Sequence, residues 1–505
     1  MSAFDTDVIV VGGGGAALAA ASAAAQMGRR VILLEKSPQL GGSTAWSVGS
    51  VSATQTPHQK KLGIEDHPDY HWEDMKLFSG PLASRDNFDL ARVLADNTPK
   101  MFEWLLSTGL EFIGPLPEPP HRLARMHNVL PNSRAFPYLL GRHCRSLGVE
   151  IRLNSAVSGL IRQTPQGAVI GVTVKSNNGP TQKLTARLGV VLACGDYSGG
   201  RELKAQYGSE LIAAVDAINV YNTGDGIRMG MDCGSPILNG DHIRGPILRF
   251  IPPKKAHWVQ QLPPLPVITR LMHWGFDRLP KKWLRPLLLS YLTTALAPEK
   301  AIYDSGAILV DLDGLRFTNE CDLPARRAAI RPQGMAHMVF DHTVAEKYQA
   351  WPHYISTAPS VGYAYVNDYR RNRKDIFHCA PTIRELAHQM NVSAGALEAT
   401  IHAYNSGEDQ AEAPARGLRP PIITPPFYAL GPAKAYIIFT NGGLKVSHQL
   451  EVLNDKNVPI PGLYAAGANG QGGMLLEGHG HHLGWAFVSG RIAGRQAALF
   501  ERPSE

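Results

Sequence analysis

A short loop near the C-terminus concentrates the side chains most able to move protons. Residues 476–484 read Leu-Glu-Gly-His-Gly-His-His-Leu-Gly and include Glu477, His479 and His482. Histidine changes its charge near neutral pH, so it can serve as an acid, a base or a hydrogen-bond donor. Imidazoles beside a carboxylate are typical of general acid–base catalysis. The alternative is that the loop only packs and forms hydrogen bonds around a cofactor.

The same loop is not expected to bind a metal ion. No Asp or Glu ligand in it completes a convincing zinc set. The five cysteines, Cys144, Cys194, Cys233, Cys321 and Cys379, form no C-x-x-C pair. Their spacing argues against iron–sulfur ligation, haem attachment and a dithiol centre. An odd, dispersed set of cysteines is typical of a reducing compartment, so we expect a cytoplasmic protein without a metal site.

The elements that must position such a loop begin at the N-terminus. Residues 7–21 predict a buried strand, a glycine turn and a helix of small residues. Gly12 permits a tight turn, Gly14 lets the backbone approach a pyrophosphate, and Ala17 keeps the helix close to the sheet. With Gly15 and Ala16 they form a predicted phosphate site at a helix N-terminus. The alternative is a small-residue turn of any α/β domain.

Two further signals extend this turn into a dinucleotide site. The apolar run Val31–Leu34 ends in Glu35, about twenty residues after the turn, where a carboxylate can bind the ribose hydroxyls. Lys36 is assigned to the same site. A second glycine turn follows at Gly41, Gly42, Ser43 and Thr44. A nicotinamide domain does not need it, whereas an isoalloxazine ring does, so FAD is favoured over NAD.

Four blocks of sequence together resemble the flavoproteins related to fumarate reductase, succinate dehydrogenase and the 3-ketosteroid dehydrogenases. They are the N-terminal turn, Val190–Gly195, Thr223–Gly226 and Pro461–Gly467. The family inserts or removes a carbon–carbon double bond next to a carbonyl or carboxylate. The resemblance implies an α/β fold in which a Rossmann-like FAD-binding domain with a β-meander receives an inserted α+β cap domain. The implied ranges are 1–280 and 437–505 for FAD and 281–436 for the cap.

The resemblance also implies the remaining cofactor contacts. They are Ala193, Gly195, Thr223, Gly224, Asp225, Gly443, Gly467, Leu483 and Gly484. In the family the last helix points its N-terminus at the flavin pyrimidine, where its dipole stabilises negative charge on reduced flavin. The histidine that attaches flavin in succinate dehydrogenases is missing from Gly42–Ala45. We therefore expect non-covalent FAD.

The catalytic loop differs from the family pattern in an informative way. Glu477 and His479 occupy the region where ketosteroid dehydrogenases carry tyrosine or serine hydroxyls. Gly480 resembles the glycine whose N–H holds the substrate carbonyl. His482 stands where fumarate reductases have a carboxylate-binding arginine. Glu477, His479 and His482 are therefore the predicted catalytic residues of the loop.

Other family positions are also altered. Phe439 replaces a histidine of fumarate reductases, and Lys300 and Tyr303 replace an acid and an arginine, which makes dicarboxylate reduction doubtful. The C-terminal tyrosine of the steroid Δ1 pattern aligns with Leu476. Arg326 is a predicted catalytic residue or substrate anchor, or else an ordinary surface arginine, and Tyr303 is predicted at the substrate site.

The preferred function is dehydrogenation of a cyclic or apolar ketone, with hydride passing to flavin N5. Electrons are expected to leave to a quinone, a carrier protein or oxygen. One alternative is an enone or enoate reductase fed by an external donor. Another is an electron-transfer flavoprotein subunit without a substrate of its own.

Composition limits the partners. The chain has 505 residues and a formal net charge of +7 with no dominant Lys or Arg run, so no nucleic-acid partner is expected. No signal peptide or run of roughly 18 apolar residues is visible. Residues 247–298 interleave aromatic, leucine and basic residues. They are interpreted as a buried inter-domain helix pair, with an interfacial patch in peripheral membrane contact as the alternative.

Overall fold

The computed structural model describes residues 4–176, 180–253, 261–279, 289, 293, 298–322, 324–358, 362–409, 413–415 and 417–501. Its helices are α1 Gly15–Gln26, α2 Gly42–Trp46, α3 Pro57–Lys61, α4 Pro68–Phe78, α5 Phe88–Ser107, α6 Ala135–Ser146, α7 Arg201–Tyr207, α8 Glu210–Ala214, α9 Asp225–Asp232, α10 Pro266–Arg278, α11 Ala301–Asp304, α12 Pro324–Ala329, α13 His342–Lys347, α14 Val366–Asn372, α15 Ile383–Met390, α16 Ala394–Ser406 and α17 His481–Leu499. Two 3-10 helices span Gly80–Arg85 and Pro332–Gly334.

The strands are β1 Thr6–Val11, β2 Val31–Leu34, β3 Ser50–Ser52, β4 Glu111–Leu116, β5 Met126–Leu130, β6 Glu150–Arg152, β7 Ser155–Arg162, β8 Val169–Ser176, β9 Gln182–Leu192, β10 Ile237–Leu238, β11 Ile243–Arg244, β12 Ile247–Phe250, β13 Ile308–Val310, β14 Met335–Phe340, β15 Ser356–Ala358, β16 Gly362–Ala364, β17 Phe377–Ala380, β18 Phe427–Tyr436, β19 Phe439–Thr440, β20 Gly443–Leu444, β21 Glu451–Leu453 and β22 Pro459–Ala465. The main sheet has eight strands, with the order β21-β22-β9-β1-β2-β6 and a β7-β8-β9 meander. β1 pairs in parallel with β2 and β9, and β22 pairs in parallel with β9. Both β1 and β2 are fully buried, as expected for strands covered on two faces.

Helices α1 and α17 pack closely because both are built from small residues at their contact. α1 is mostly alanine, and a Cβ added to Gly490 or Gly494 of α17 would lie 2.3 or 2.1 Å from the carbonyl oxygens of Ala16 and Ala20. The glycines therefore let the two helix backbones touch. This contact brings the start of α17, and the loop before it, to the glycine turn after β1.

A separate sheet forms the cap. Its order is β12-β18-β14-β13, with β17 also paired to β18, and all pairs are antiparallel. Aromatic and aliphatic side chains of this sheet and its helices form a core distinct from that of the main sheet. Strand β12, at residues 247–250, belongs to the cap sheet although it precedes residue 281. The boundary between the FAD-binding domain and the cap domain, predicted at residue 281, therefore stays a prediction. One strand of the cap sheet, β12, precedes it.

The segment interpreted as a buried helix pair is only partly described. Helix α10 exposes Val267, Leu271 and Trp274, which are 78%, 65% and 49% exposed. The prediction of burial is wrong for this side of the helix, because positions i, i+4 and i+7 face outward together. Trp258, Trp283, Leu287 and Leu288 lie outside the described residues. Among the described helices, none combines the length and apolar character needed to cross a membrane.

Candidate active site

The glycine turn after β1 is packed so closely against its neighbours that it leaves no room for side chains at Gly12 and Gly13. Gly12 has φ +115°, and a Cβ there would lie 2.3 Å from the carbonyl oxygen of Ala193. A Cβ on Gly13 would lie 2.8 Å from the Glu35 side chain. Gly14 is the N-cap of α1, so the first N–H groups of the helix point out of the turn. This is the geometry that binds a pyrophosphate.

A second set of contacts ties the neighbouring elements to this turn. Lys36 donates hydrogen bonds to Thr223 Oγ1 at 2.6 Å and to Asp225 Oδ2 at 2.7 Å. Glu35 Oε1 accepts hydrogen bonds from the backbone N–H and hydroxyl of Ser37, both at 2.7 Å. The start of α9 is thereby held beside the carboxyl end of β2.

The second glycine turn is fixed by its own polar side chains. Gly41 has φ +133° and forms a parallel bridge with Gly14. Thr44 Oγ1 accepts a hydrogen bond from the backbone N–H of Gly15 at 3.0 Å. Ser43 Oγ accepts from Asn222 at 2.9 Å. The two turns therefore form one continuous wall.

That wall lines a cavity of about 1250 Å³. The cavity runs from Glu35 at the carboxyl end of β2, past both glycine turns, to the N-terminus of α17. Apolar side chains line its far end, among them Val48, Ile247, Ile438, Phe439 and Leu476, together with the basic side chains of Arg244 and Arg249. Its volume, its glycine turns and its helix N-termini fit a flavin dinucleotide, with the far end left for a substrate.

At the far end His479 is paired with a buried carboxylate. Glu118 Oε1 accepts a hydrogen bond from the backbone N–H of His479 at 2.8 Å and also contacts its Nδ1. Glu118 is 5% exposed, whereas the His479 side chain is 53% exposed and lines the cavity. The hydrogen bond to Glu118 raises the pKa of His479 above its ordinary value. Since Nδ1 faces Glu118, Nε2 is the nitrogen available to a ligand.

Glu477 forms a second polar cluster on the same wall. His242 Nε2 lies 2.8 Å from Glu477 Oε1, Arg244 contacts the other oxygen at 3.2 Å, and Asn441 donates at 3.3 Å. The hydrogen bond with His242 is the main reason that the pKa of Glu477 lies below its ordinary value. Glu477 is therefore a carboxylate whose lone pairs are already engaged.

His482 lies deeper. Burial lowers its pKa to about 4, so the imidazole is neutral at physiological pH. Its ring packs on Phe439 with 4.3 Å between centroids. A neutral imidazole beside an aromatic ring is poorly suited to bind a carboxylate.

Comparison with known proteins identifies the chain. The model of the FAD binding domain family matches residues 7–244 and 283–476. The chain belongs to this family. The flavoprotein is 27% identical over 484 residues to the NADH:fumarate oxidoreductase of Klebsiella pneumoniae, covering 93% of this chain and 45% of that protein. It thus spans about half the length of this relative.

Solved structures agree on the fold. An open conformation of a flavocytochrome c3 fumarate reductase superposes with a TM-score of 0.73 at 24% identity, over 98% of this chain and 78% of the other. The 3-ketosteroid Δ1-dehydrogenase of Sterolibacterium denitrificans gives 0.65 at 21% identity, over 98% and 99%. The predicted superfamily, its α/β fold with a cap and the class of FAD-dependent oxidoreductase are confirmed.

The flavoprotein's cavity collects most of the residues predicted from the sequence. Its wall includes Gly12, Gly14, Gly15, Ala16, Glu35, Lys36, Gly42, Ser43, Thr44, Ala193, Gly195, Asp225, Gly467, Glu477, His479, Gly480, His482 and Leu483. The residues Gly41, Thr223, Gly224, Gly443 and Gly484 lie off the wall. Gly41 and Thr223 support it through the contacts described above.

Two predicted cap residues lie apart from the cavity. Arg326 is exposed on α12, and Tyr303 is buried in the cap core. Neither belongs to the cavity wall. The reason is that the chain turns at Pro324 into a short helix, which carries Arg326 outward.

Two residues that contact the catalytic loop were not among the predicted site residues. Glu118 lies in a proline-rich stretch that gives no periodic signal, and His242 follows a two-residue strand. Each is recognisable only through its long-range partner in the 477–482 loop. The available hint for Glu118 was its place in a long proline-rich loop, because loops of that length often carry function.

Proposed function

We propose that the flavoprotein interconverts a saturated carbonyl compound and its α,β-unsaturated counterpart, with dehydrogenation of a cyclic or apolar ketone as the preferred reaction. The observation that supports this most is the His479–Glu118 pair, which opens onto the cavity that also carries the dinucleotide turns. A proton-transfer group and a flavin site in one enclosed space meet the requirements of this chemistry.

FAD is held, in this proposal, without a covalent bond. The glycine turns and the N-terminus of α1 would hold the pyrophosphate, Glu35 the ribose, and the start of α17 the flavin pyrimidine. When bound, FAD supplies the hydride acceptor at N5. No histidine lies between Gly42 and Ala45, which supports non-covalent binding.

His479 would carry the proton. Its Nδ1–H is directed to Glu118, so Nε2 accepts the α-proton of the ketone. The imidazolium that forms is stabilised by the buried Glu118 carboxylate, as a carboxylate stabilises histidine in other acid–base pairs. In the reverse reaction the same Nε2–H would be donated to the α-carbon.

The carbonyl oxygen would be held at the start of α17. Gly480, with φ +84°, is the N-cap of this helix and lines the cavity. Its backbone N–H, together with the positive end of the helix dipole, would stabilise the enolate that develops as the α-proton leaves. A Cβ at Gly480 would lie 2.4 Å from the backbone nitrogen of Ser52, so only glycine fits there.

The substrate would be apolar at its far end. The cavity wall there carries Val48, Ile247, Ile438 and Phe439 beside Arg244 and Arg249, and Arg244 is paired with Glu477. The neutral His482 stands where the resemblance places an anion-binding arginine. Electrons would leave to a quinone, a carrier protein or oxygen. The second candidate is the enone or enoate reductase, favoured by the name of the Klebsiella relative, with an external donor reducing the flavin.

The test is anaerobic mixing of the FAD-loaded protein with saturated cyclic ketones, steroids and carboxylates while flavin absorbance is recorded. Bleaching by a ketone, lost in His479→Gln and kept in the exposed-histidine control His448→Gln, supports the proposal. Reoxidation of pre-reduced protein by an enone, without bleaching by ketones, supports the reductase. Turnover restricted to fumarate-like acids contradicts the apolar substrate.

A further inference from the structure

Three buried histidines from distant parts of the chain meet behind the catalytic loop. His71 lies on α4, His121 follows the proline-rich stretch, and His481 is the first residue of α17. Each is at most 7% exposed, and one nitrogen from each ring lies within 4.8 Å of the others. We propose that this histidine cluster binds one divalent transition-metal ion, with zinc as the expected metal.

The ring positions suit a common central ion. The centroid separations are 5.4 Å for His71–His121, 5.1 Å for His121–His481 and 5.6 Å for His71–His481. A point equidistant from three such centres lies about 3.1 Å from each, and a zinc ion bonded to an imidazole nitrogen lies about 3.2 Å from the ring centre. The Nε2 atoms of His121 and His481 are 3.2 Å apart, close to the edge of a tetrahedral zinc site.

His71 supplies an independent indication of a missing ligand. Neither of its ring nitrogens has a hydrogen-bond partner in the described part of the chain. Buried polar groups are nearly always satisfied, so an unpartnered imidazole in the interior calls for an explanation. A metal bound through one nitrogen provides it, and one His71 nitrogen lies within 4.8 Å of the ligand atoms of the other two histidines.

The surroundings provide a carboxylate for the outer shell. Metal-binding histidines commonly donate their second N–H to a carboxylate, and Asp74 Oδ2 lies 3.9 Å from His121 Nδ1. Without metal, Arg125 donates to that Nδ1 at 3.0 Å. Metal binding through Nε2 would place the hydrogen on Nδ1. Arg125 Nη1 would then give up its contact with Nδ1 and keep its hydrogen bond to Asp74, while the rest of the guanidinium keeps its two 2.7 Å bonds to Asp66.

The ion would have a structural role. It would join α4, the stretch after Glu118 and the start of α17, and so hold the Glu118–His479 pair in place from behind. Three protein ligands leave one tetrahedral position, which a water molecule can fill. The cluster does not line the cavity. The proposal of a metal site therefore does not depend on the proposed reaction.

The experiment measures the metal content of the purified, FAD-loaded protein by mass spectrometry, before and after chelation and after titration with zinc. We expect about one zinc per chain, and a lower melting temperature after chelation that zinc restores. His71→Gln should reduce bound zinc at least tenfold. His127→Gln is the matched control, because His127 is equally buried but lies outside the cluster.

Two results overturn the proposal. One is wild-type protein that neither contains zinc nor takes it up, with a melting temperature that chelator and zinc leave unchanged. The other is His71→Gln protein with wild-type zinc content. The wild-type measurement needs no variant, so it decides the question even if His71→Gln fails to fold. The His121–His481 contact would then be a simple hydrogen bond.

Discussion

Glu118 and His479 are 361 residues apart in the chain, yet one carboxylate oxygen of Glu118 contacts both the backbone N–H and the Nδ1 of His479. The double contact fixes both the loop backbone and the orientation of the imidazole ring. Because Glu118 is buried, its charge is poorly screened and acts strongly on that ring.

Substituting Glu118→Gln tests the pair directly. The amide keeps the size of the side chain but removes the charge that stabilises the imidazolium, so flavin reduction by substrate should slow about 100-fold or more. Stopped-flow absorbance measures this rate, and the FAD content should not change. Glu73→Gln, at an exposed carboxylate paired with Arg122, is the control and should react at the wild-type rate. An unchanged rate in Glu118→Gln would remove Glu118 from the mechanism.

Helix packing at α1 provides a stability test. Gly494→Ala places a methyl group 2.1 Å from the backbone oxygen of Ala20, so α1 and α17 must separate. We expect a loss of about 1–3 kcal/mol in the free energy of unfolding together with weaker FAD binding. Gly395→Ala on α16 meets no atom within 4 Å and should leave stability unchanged or slightly higher. Denaturant titration and FAD titration measure the two effects.

Lys36 joins the ribose end of the site to α9. Replacing it with methionine removes its hydrogen bonds to Thr223 and Asp225, while Asp225 keeps its 2.8 Å ion pair with Arg228. Since the Lys36 side chain is partly exposed, we expect a moderate effect of about tenfold on the FAD dissociation constant. Fluorescence titration of the apoprotein with FAD measures it. Equal affinity in Lys36→Met and the exposed control Lys100→Met would contradict this role.

The cap should show acid-dependent stability. Glu320 is fully buried, and although burial raises its pKa, ion pairs with Arg316 and Arg419 hold that pKa below its ordinary value of 4.5. A carboxyl with a lowered folded-state pKa stabilises the protein above its unfolded value, and this stabilisation is lost as the pH falls.

The melting temperature of the wild type should therefore drop as the pH falls from about 5. Glu320→Gln should be destabilised by about 3–5 kcal/mol at neutral pH, because it removes the negative charge that compensates the buried Arg316 guanidinium. Its melting temperature should also depend less on pH in the acid range. Glu398→Gln, which removes an exposed ion pair with Arg384, is the control. If the melting temperatures of wild type and Glu320→Gln changed with pH in the same way, the role of Glu320 in acid-dependent stability would be contradicted.

Local patterns were sufficient for the cofactor half of this protein. The run before Gly12, the spacing to Glu35 and the second turn at Gly41–Thr44 are short segments whose backbone conformation depends on residues close in sequence. Glycine at positive φ and small residues at a helix contact occur in few other structural settings. These segments therefore predicted the FAD-binding fold, which the family match confirms. The cap strand at 247–250 was missed because four residues give too little periodicity.

The substrate half depended on tertiary structure. The sequence by itself determined that Glu477, His479 and His482 share one loop, but their different environments come from residues 43 to 361 positions away: Glu118 for His479, His242 for Glu477 and Phe439 for His482. Arg326, expected near the substrate, was carried to the surface by a turn at Pro324. Charge and burial at a side chain are set by whatever packs against it, and that packing partner is decided by the fold.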